Sequence, residues 1–236
     1  MSSDSVNITL NDSRITSWIA FGTGTALFSK DAAQSVELAI RNGFTHLDGA
    51  QAYSNEDSLG KGIVASGKPR SELYVTTKLF KLNPGQTVKE TLKESLRKLE
   101  LDYVDLFLIH HAAHHKGRLQ QVWKEMEGVK NEGLTRYAYA VLLVTILMKR
   151  TGRRRSIGVS NFTEKDLNAI FEVATTKPAV NQVCYFLAVL FYSFTCLLDR
   201  VSSICFQSVR VNRQISSRAW HCHLFICRFD SHLSCS

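Results

Sequence analysis

Apolar and polar positions along this chain follow two alternating rhythms: short apolar runs, and longer stretches with an apolar residue every three or four positions. "VNITLNDSRIT" contains two β-prone runs around Asn11, Asp12 and Ser13, which predicts a hairpin. "WIAFGTGTA" follows as an apolar strand entering a glycine loop. In "SKDAAQSVELAIRNG", Ala32, Val36, Ala39 and Ile40 share one face and Gly43 stands just past the end, which predicts a helix with a glycine stop. The alternation then repeats. Strand "FTHLD", helix "NEDSLGKGIVASG" closed by Gly67, and strand "LYVTTKL" lead to helix "PGQTVKETLKESLRKLEL", whose buried stripe is Val88, Leu92, Leu96 and Leu99. Strand "YVDLFLIH", helix "RLQQVWKEMEGVKNEG", strand "SIGVS", helix "EKDLNAIFEVATT" begun by Thr163, and strand "AVNQVCY" complete the series. Six strands in strict alternation with helices indicate a parallel α/β architecture.

A closed barrel and an open doubly wound sheet both alternate in this way, and polar residues at the strand ends separate them. Asp48, Lys78, His110, Ser160 with Asn161, and Gln182 each stand at or just past the C-terminal end of a different strand. A barrel gathers all such ends around one mouth, whereas an open sheet spreads them along an edge. The "GTGT" after the first strand is not a G-x-G-x-x-G fingerprint, and no helix pattern starts directly after it. The barrel is the better reading.

Composition changes this picture only in two places. The chain has 236 residues, 44% of them hydrophobic and 21% charged, which is enough to bury a sizeable core. The net charge of +8 is uneven: residues 137–155 hold five basic residues and no acid, and 187–236 hold five Arg against two Asp, while 1–136 balance 17 basic against 16 acidic residues. A basicity confined to two segments is no nucleic-acid signature for the protein as a whole. All six cysteines, Cys184, Cys196, Cys205, Cys222, Cys227 and Cys235, lie in the last quarter, where Gly, Glu and Lys have disappeared. Their spacing suggests neither a metal site nor a disulfide framework. The start "MSSDSVNITL" lacks a basic n-region followed by an apolar run, so the expectation is a cytoplasmic protein. The apolar part of the 137–155 segment, Ala138 to Met148, is too short to span a bilayer, which takes about 20 residues.

The stretch "HHAAHH" places four histidines, His110, His111, His114 and His115, within six positions. Imidazoles are common metal ligands, but no acidic ligand lies in the cluster, and His110 stands where a buried strand stops. His110 is read as a site residue, His114 and His115 as loop surface, and no metal is assigned. Tyr53, five residues beyond Asp48, belongs to the same mouth. A phenol with an ordinary pKa of about 10 is a poor acid at neutral pH. An ammonium such as Lys78 stabilises its anion, a carboxylate such as Asp48 keeps that ammonium charged, and His110 can hydrogen-bond a substrate oxygen. Together the four describe protonation of an oxygen that becomes an alcohol.

The segments "GFTHLDGAQAYSNEDSLGKGI", "YVTTKL", "ESLRKLELDYVDLFLIH", "SIGVSNF" and "AVNQV" resemble the aldo-keto reductases, in order and at the expected strand ends. The resemblance covers about residues 6–136 and 156–186. It implies a (β/α)8 TIM barrel, here incomplete with about six of eight strands recognisable, and NADPH-dependent reduction of an aldehyde or ketone. It implies Asp48, Tyr53, Lys78 and His110 as the catalytic tetrad, with Tyr53 the general acid. It implies Ser160, Asn161 and Gln182 around the nicotinamide carboxamide, Gly24 and Thr25 in the loop approaching the cofactor, and His111 in the substrate pocket. The expected partner is a small carbonyl compound, with no nucleic acid, no membrane and no metal, and a monomer is expected.

Two segments depart from the family. "YAYAVLLVTILMKRTGRRR" at 137–155 interrupts a connection that the family runs straight through, and nothing from 187 onward resembles it. The expected organisation is a partial barrel over 1–186, interrupted at 137–155, and an unrelated tail over 187–236 in place of the last barrel strands. The nicotinamide-stacking aromatic and the loop gripping the adenosine phosphate are missing from the matched region. Two functions remain open: a working reductase, or a catalytically impaired remnant or binding module lacking the phosphate site.

Overall fold

A computed structural model describes residues 7–132 and 156–183, together with the backbone of a strand at Phe225–Cys227. The expectations for residues 137–155, and for the tail apart from that strand, lie outside the described residues. So do the side chains of all six cysteines.

β1 (Asn7–Thr9) and β2 (Ile15–Ser17) form the expected antiparallel hairpin, with Ser13 at φ 67° in its turn. Six parallel strands follow in chain order: β3 (Phe21–Gly22), β4 (His46–Asp48), β5 (Tyr74–Leu79), β6 (Leu106–Ile109), β7 (Ser156–Ser160) and β8 (Asn181–Val183). Between them run α1 (Ala33–Arg41), α2 (Glu56–Ser66), α3 (Val88–Leu99) and α4 (Leu119–Asn131), and α5 (Glu164–Phe171) lies between β7 and β8. The architecture is a partial (β/α)8 barrel. β9 (Phe225–Cys227) pairs with β8 antiparallel, so the β8 edge that the sequence leaves open is covered, by a strand of the wrong direction for a continuing barrel.

Local chemistry accounts for these elements. α2 ends where Gly67 takes φ 68°, a conformation that costs glycine nothing. α3 and α5 both begin with a capping box: Thr87 with Glu90, and Thr163 with Asp166. The buried face of α3 differs slightly from the expected stripe. Val88, Leu92 and Leu99 are buried, Leu96 is only half-buried, and the small polar residues Thr91 and Ser95 take the remaining inward positions.

The period-2 alternation of the strands divides the interior in two. Val75, Leu79, Phe107, Ile109, Ile157 and Val159 pack against the helices in one large cluster. Leu106, Leu108 and Val180 face the other way and meet Leu10 of the hairpin in a second. Lys78 and Asp48 are on this second face, which is why two charged groups end up fully enclosed. The hairpin plugs the bottom of the sheet: His46, buried in β4, meets Thr16 Oγ1 at 3.4 Å, the Ser17 carbonyl oxygen at 3.1 Å and Thr76 Oγ1 at 3.0 Å.

Candidate active site

Four side chains from three strand ends converge at the C-terminal end of the sheet. The register pairs Asp48 with Thr76 across β4 and β5, which sets Lys78, two residues further along the same face, above Asp48. Lys78 Nζ donates to Asp48 Oδ2 at 2.6 Å, to the Gly49 carbonyl at 2.9 Å and to Tyr53 Oη at 3.3 Å, so its three protons have three oxygen partners. The ammonium and carboxylate side chains are 1% and 2% exposed. Burial opposes the lysine's charge, but Asp48 and Tyr53 outweigh it and hold the Lys78 pKa above its ordinary value.

Tyr53 closes a 3₁₀ turn, Gln51–Tyr53, directly after β4. Gly24 lies against its ring: a Cβ at Gly24 would stand 2.4 Å from Tyr53 Cζ, so only a glycine backbone approaches the phenol this closely. The His110 ring meets the Tyr53 ring edge-on at 5.5 Å. Burial, and then the Lys78 charge, lower the His110 pKa to about 4, so this imidazole is neutral at neutral pH. Its Nδ1 is buried with no hydrogen-bond partner among the described residues.

The next two strand ends add amides. Ser160 Oγ donates to the Gln182 carbonyl at 2.7 Å, Asn161 Nδ2 donates to the His110 carbonyl at 3.3 Å, and Gln182 Nε2 lies 3.5 Å from Asp48 Oδ1. Asn161 occupies φ 55°, which turns the chain sharply at the end of β7. Residues 18–139 match the Aldo/keto reductase family.

The chain belongs to the aldo/keto reductase family. It is 39% identical over 177 residues to an aldo-keto reductase of Mycolicibacterium vanbaalenii, covering 75% of this chain and 56% of that protein. It is 34% identical over 167 residues to the glyoxal reductase of Bacillus subtilis, covering 70% of this chain and 53% of that one. Among solved structures, an aldo/keto reductase from Brucella melitensis superposes with a TM-score of 0.61 at 30% identity, covering 80% of this chain and 69% of that one. A Bombyx mori aldo-keto reductase in complex with NADP superposes with a TM-score of 0.60 at 33% identity, covering 77% and 59%. The chain thus spans just over half the length of the curated relatives it matches.

Within this family frame, Asp48, Tyr53, Lys78 and His110 form one contiguous group, and Ser160, Asn161 and Gln182 border it. Gly24 touches it through Tyr53, whereas Thr25 is exposed. His111 is exposed on the rim, its Nδ1 accepting from the Ala113 N–H at 3.1 Å, and His114 is exposed beside it. His115 corrects its expected surface position: it is 1% exposed, and burial lowers its pKa to about 4. The 3₁₀ turn Ala112–His115 points this last ring inward, a placement that four adjacent histidines in a sequence do not reveal. Among the described residues no three His, Cys, Asp or Glu side chains gather as metal ligands would, and no helix is long and apolar enough to cross a membrane.

The sequence reading also passed over residues that shape the mouth. Phe80, two residues past Lys78, lies 4.6 Å from the His114 ring and 6.5 Å from the His110 ring, centroid to centroid, and Phe28 lies edge-on to Tyr53 at 6.3 Å. Only the structure shows that these aromatics stand exposed beside the polar cluster, Phe28 at 48% and Phe80 at 39%.

Proposed function

We propose that the chain reduces an aldehyde or ketone to an alcohol with NADPH, and that Tyr53 is the general acid. The observation carrying this reading is the bridge made by Lys78 Nζ, which binds Asp48 at 2.6 Å and the Tyr53 phenol at 3.3 Å in a buried setting. An ammonium at that distance stabilises the developing phenolate, so Tyr53 Oη gives up its proton to a carbonyl oxygen more readily. Asp48 keeps Lys78 protonated and aimed. His110, being neutral, offers a hydrogen bond to the same oxygen rather than a second acid. NADPH, when bound, supplies the hydride that reaches the carbonyl carbon.

The residues present fit the nicotinamide end of that cofactor. Ser160, Asn161 and Gln182 put hydroxyl and amide groups on two adjacent strand ends beside Asp48, the donor and acceptor set that a carboxamide requires. The glycine loop at Gly24 and Thr25 follows β3, and His111 is proposed to contact the substrate, with Phe28 and Phe80 beside the same group of side chains. The adenosine phosphate has no matching basic loop in the sequence after residue 186. Charge-assisted bonds to phosphate contribute about 1.5–3 kcal/mol each, so the loss of two or three weakens NADPH binding roughly 100-fold or more. The proposed organisation is the partial barrel of residues 1–186 with an unrelated segment at 137–155 and an unrelated tail, in a cytoplasmic monomer acting on a small carbonyl compound.

The antiparallel direction of β9, where a barrel would continue parallel, favours a second reading of the chain as a remnant that keeps the tetrad but turns over poorly. The deciding experiment follows nucleotide absorbance with NADPH and a panel of aldehydes, glyoxal included, for the full chain and Tyr53→Phe. Reduction that disappears in the variant, with nucleotide affinity unchanged, supports the reductase. Equal rates in the two proteins would refute the role of Tyr53, and no turnover in either at saturating nucleotide would favour the remnant.

A further inference from the structure

Within the Gln51–Tyr53 turn, backbone bonds run from Tyr53 N to the Ala50 carbonyl at 3.0 Å and from Ser54 N to the Gln51 carbonyl at 3.4 Å, and from outside it the Ser29 N–H donates to the Tyr53 carbonyl at 2.9 Å. Three residues of 3₁₀ helix have little rigidity of their own. The side chain of Gln51 adds fixation towards β5 and α3. Its Oε1 accepts from the Phe80 N–H at 2.9 Å, and its Nε2 donates to Ser95 Oγ at 3.0 Å and to the Thr91 carbonyl at 3.3 Å. Phe80 follows directly on β5, two residues past Lys78, and Thr91 and Ser95 are buried positions of α3. One amide therefore ties the segment carrying the phenol to the strand carrying the ammonium, and ties both to a helix behind them.

The chemistry of the residue is specific. Phe80 N–H requires an acceptor, while the Thr91 carbonyl requires a donor, and of the side chains of this length only glutamine presents both. A glutamate would set a carboxylate against a carbonyl oxygen, and a methionine would satisfy neither. Gln51 is not among the groups that meet Lys78 Nζ, whose partners are Asp48, Gly49 and Tyr53. We propose that Gln51 is a positioning residue that sets the separation between the Tyr53 phenol and the Lys78 ammonium, and so the strength of the acid; this rests on the reading of Tyr53 as proton donor.

The test reads the phenol directly, without turnover. In the full chain labelled with ¹³Cζ-tyrosine, the Tyr53 resonance is assigned with Tyr53→Phe and followed against pH in the parent protein, Gln51→Met and Ser95→Ala. Releasing the turn weakens the phenol–ammonium contact, so the ionisation midpoint rises by about one unit or more in Gln51→Met. Ser95→Ala, which removes one partner without touching Gln51, gives a smaller rise in the same direction. The Tyr103 resonance stays where it was. A Tyr53 midpoint unmoved in Gln51→Met, in a protein whose other resonances remain native, overturns the proposal. If that variant does not fold, an unmoved midpoint in Ser95→Ala does so. Where the parent protein reduces carbonyls, kcat of Gln51→Met falls roughly 10- to 100-fold with KM nearly constant, the size expected when a reacting group is misplaced by about 1 Å. A parent protein with no turnover would favour the remnant reading and leave the titration to decide the positioning one.

Discussion

Two ion pairs of the same length, 2.6 Å, stand at opposite ends of the sheet and do different work. At the bottom, Arg70 pairs with Asp105, donates to the Leu73 and Tyr103 carbonyls at 2.8 and 2.9 Å, and stacks 3.8 Å over the Tyr103 ring. Asp105 also accepts from the Val75 N–H at 2.9 Å. These contacts join the loops entering β5 and β6, and a guanidinium that never loses its charge makes the clamp permanent. At the mouth, Lys78 spends one donor on Asp48, one on a carbonyl and the third on a phenol. Length does not tell a clamp from a candidate catalytic pair. What tells them apart is whether the cation donates to a second titratable group beyond its carboxylate, as Lys78 donates to the Tyr53 phenol.

Breaking the mouth pair has the largest expected effect. Lys78→Met removes the charge beside Tyr53 and lowers the proposed carbonyl reduction by at least about 100-fold, the usual scale for losing assisted proton transfer. It also strands Asp48, which is 2% exposed, at a stability cost of about 3–5 kcal/mol in urea denaturation. Adding Asp48→Asn recovers most of that stability and none of the activity. Recovery of both would show the mouth pair to be a clamp like its counterpart.

Gly24→Ala disturbs the phenol while leaving both ion pairs in place, because its new methyl would lie 2.4 Å from Tyr53 Cζ. The ring must shift, and turnover is expected to fall about 10- to 100-fold with little change in the urea midpoint. Unchanged kinetics would mean that the ring yields without cost to the chemistry.

Arg70→Met tests the other side of the comparison. The paired side chains are 18% and 14% exposed, so water softens the loss, and about 1–3 kcal/mol of stability should disappear. Turnover per folded molecule should not change, and a tenfold fall in kcat at constant folded fraction would erase the difference between the two pairs.

At neutral pH the pH dependence of stability has the least effect, since it develops only on acidification. His110 and His115 have pKa values lowered to about 4 by burial, against about 6.5 in an unfolded chain. Between these limits the unfolded state binds more protons, so stability falls as the pH drops from about 6.5 towards 4. His115→Phe should flatten that slope in denaturation curves at pH 7, 6 and 5, and an unchanged slope would place the acid sensitivity elsewhere.

Much of the fold was legible because strands buried on both faces read as continuous apolar runs, and because Gly43, Gly67 and Thr163 mark where helices stop and start. The grouping of Asp48, Lys78 and His110 was legible for a related reason: polar residues at the ends of such runs have few structural uses, and each of the three stands at one. Gln51 was not, since its bonds run to Phe80 and to α3 residues 40 and 44 positions away, and nothing local distinguishes it from a surface glutamine. The burial of His115 was equally hidden, as it depends on how one short turn is directed towards the core.

The sequence by itself determined the alternation of strands and helices, the two-faced pattern of each strand, and the set of groups available at the strand ends. Those follow from residue-by-residue backbone preference and hydrophobic period, which are local properties. Asp48 was expected beside Lys78, but only the tertiary structure set the contact, the register of β4 against β5 bringing the carboxylate within 2.6 Å while Asp105, at the other end of β5, pairs with Arg70. It also decided that β9 runs antiparallel to β8. Partner choice of this kind is a matter of long-range packing, where a shift of one residue in register turns a side chain to the other face of the sheet, and no local pattern encodes it.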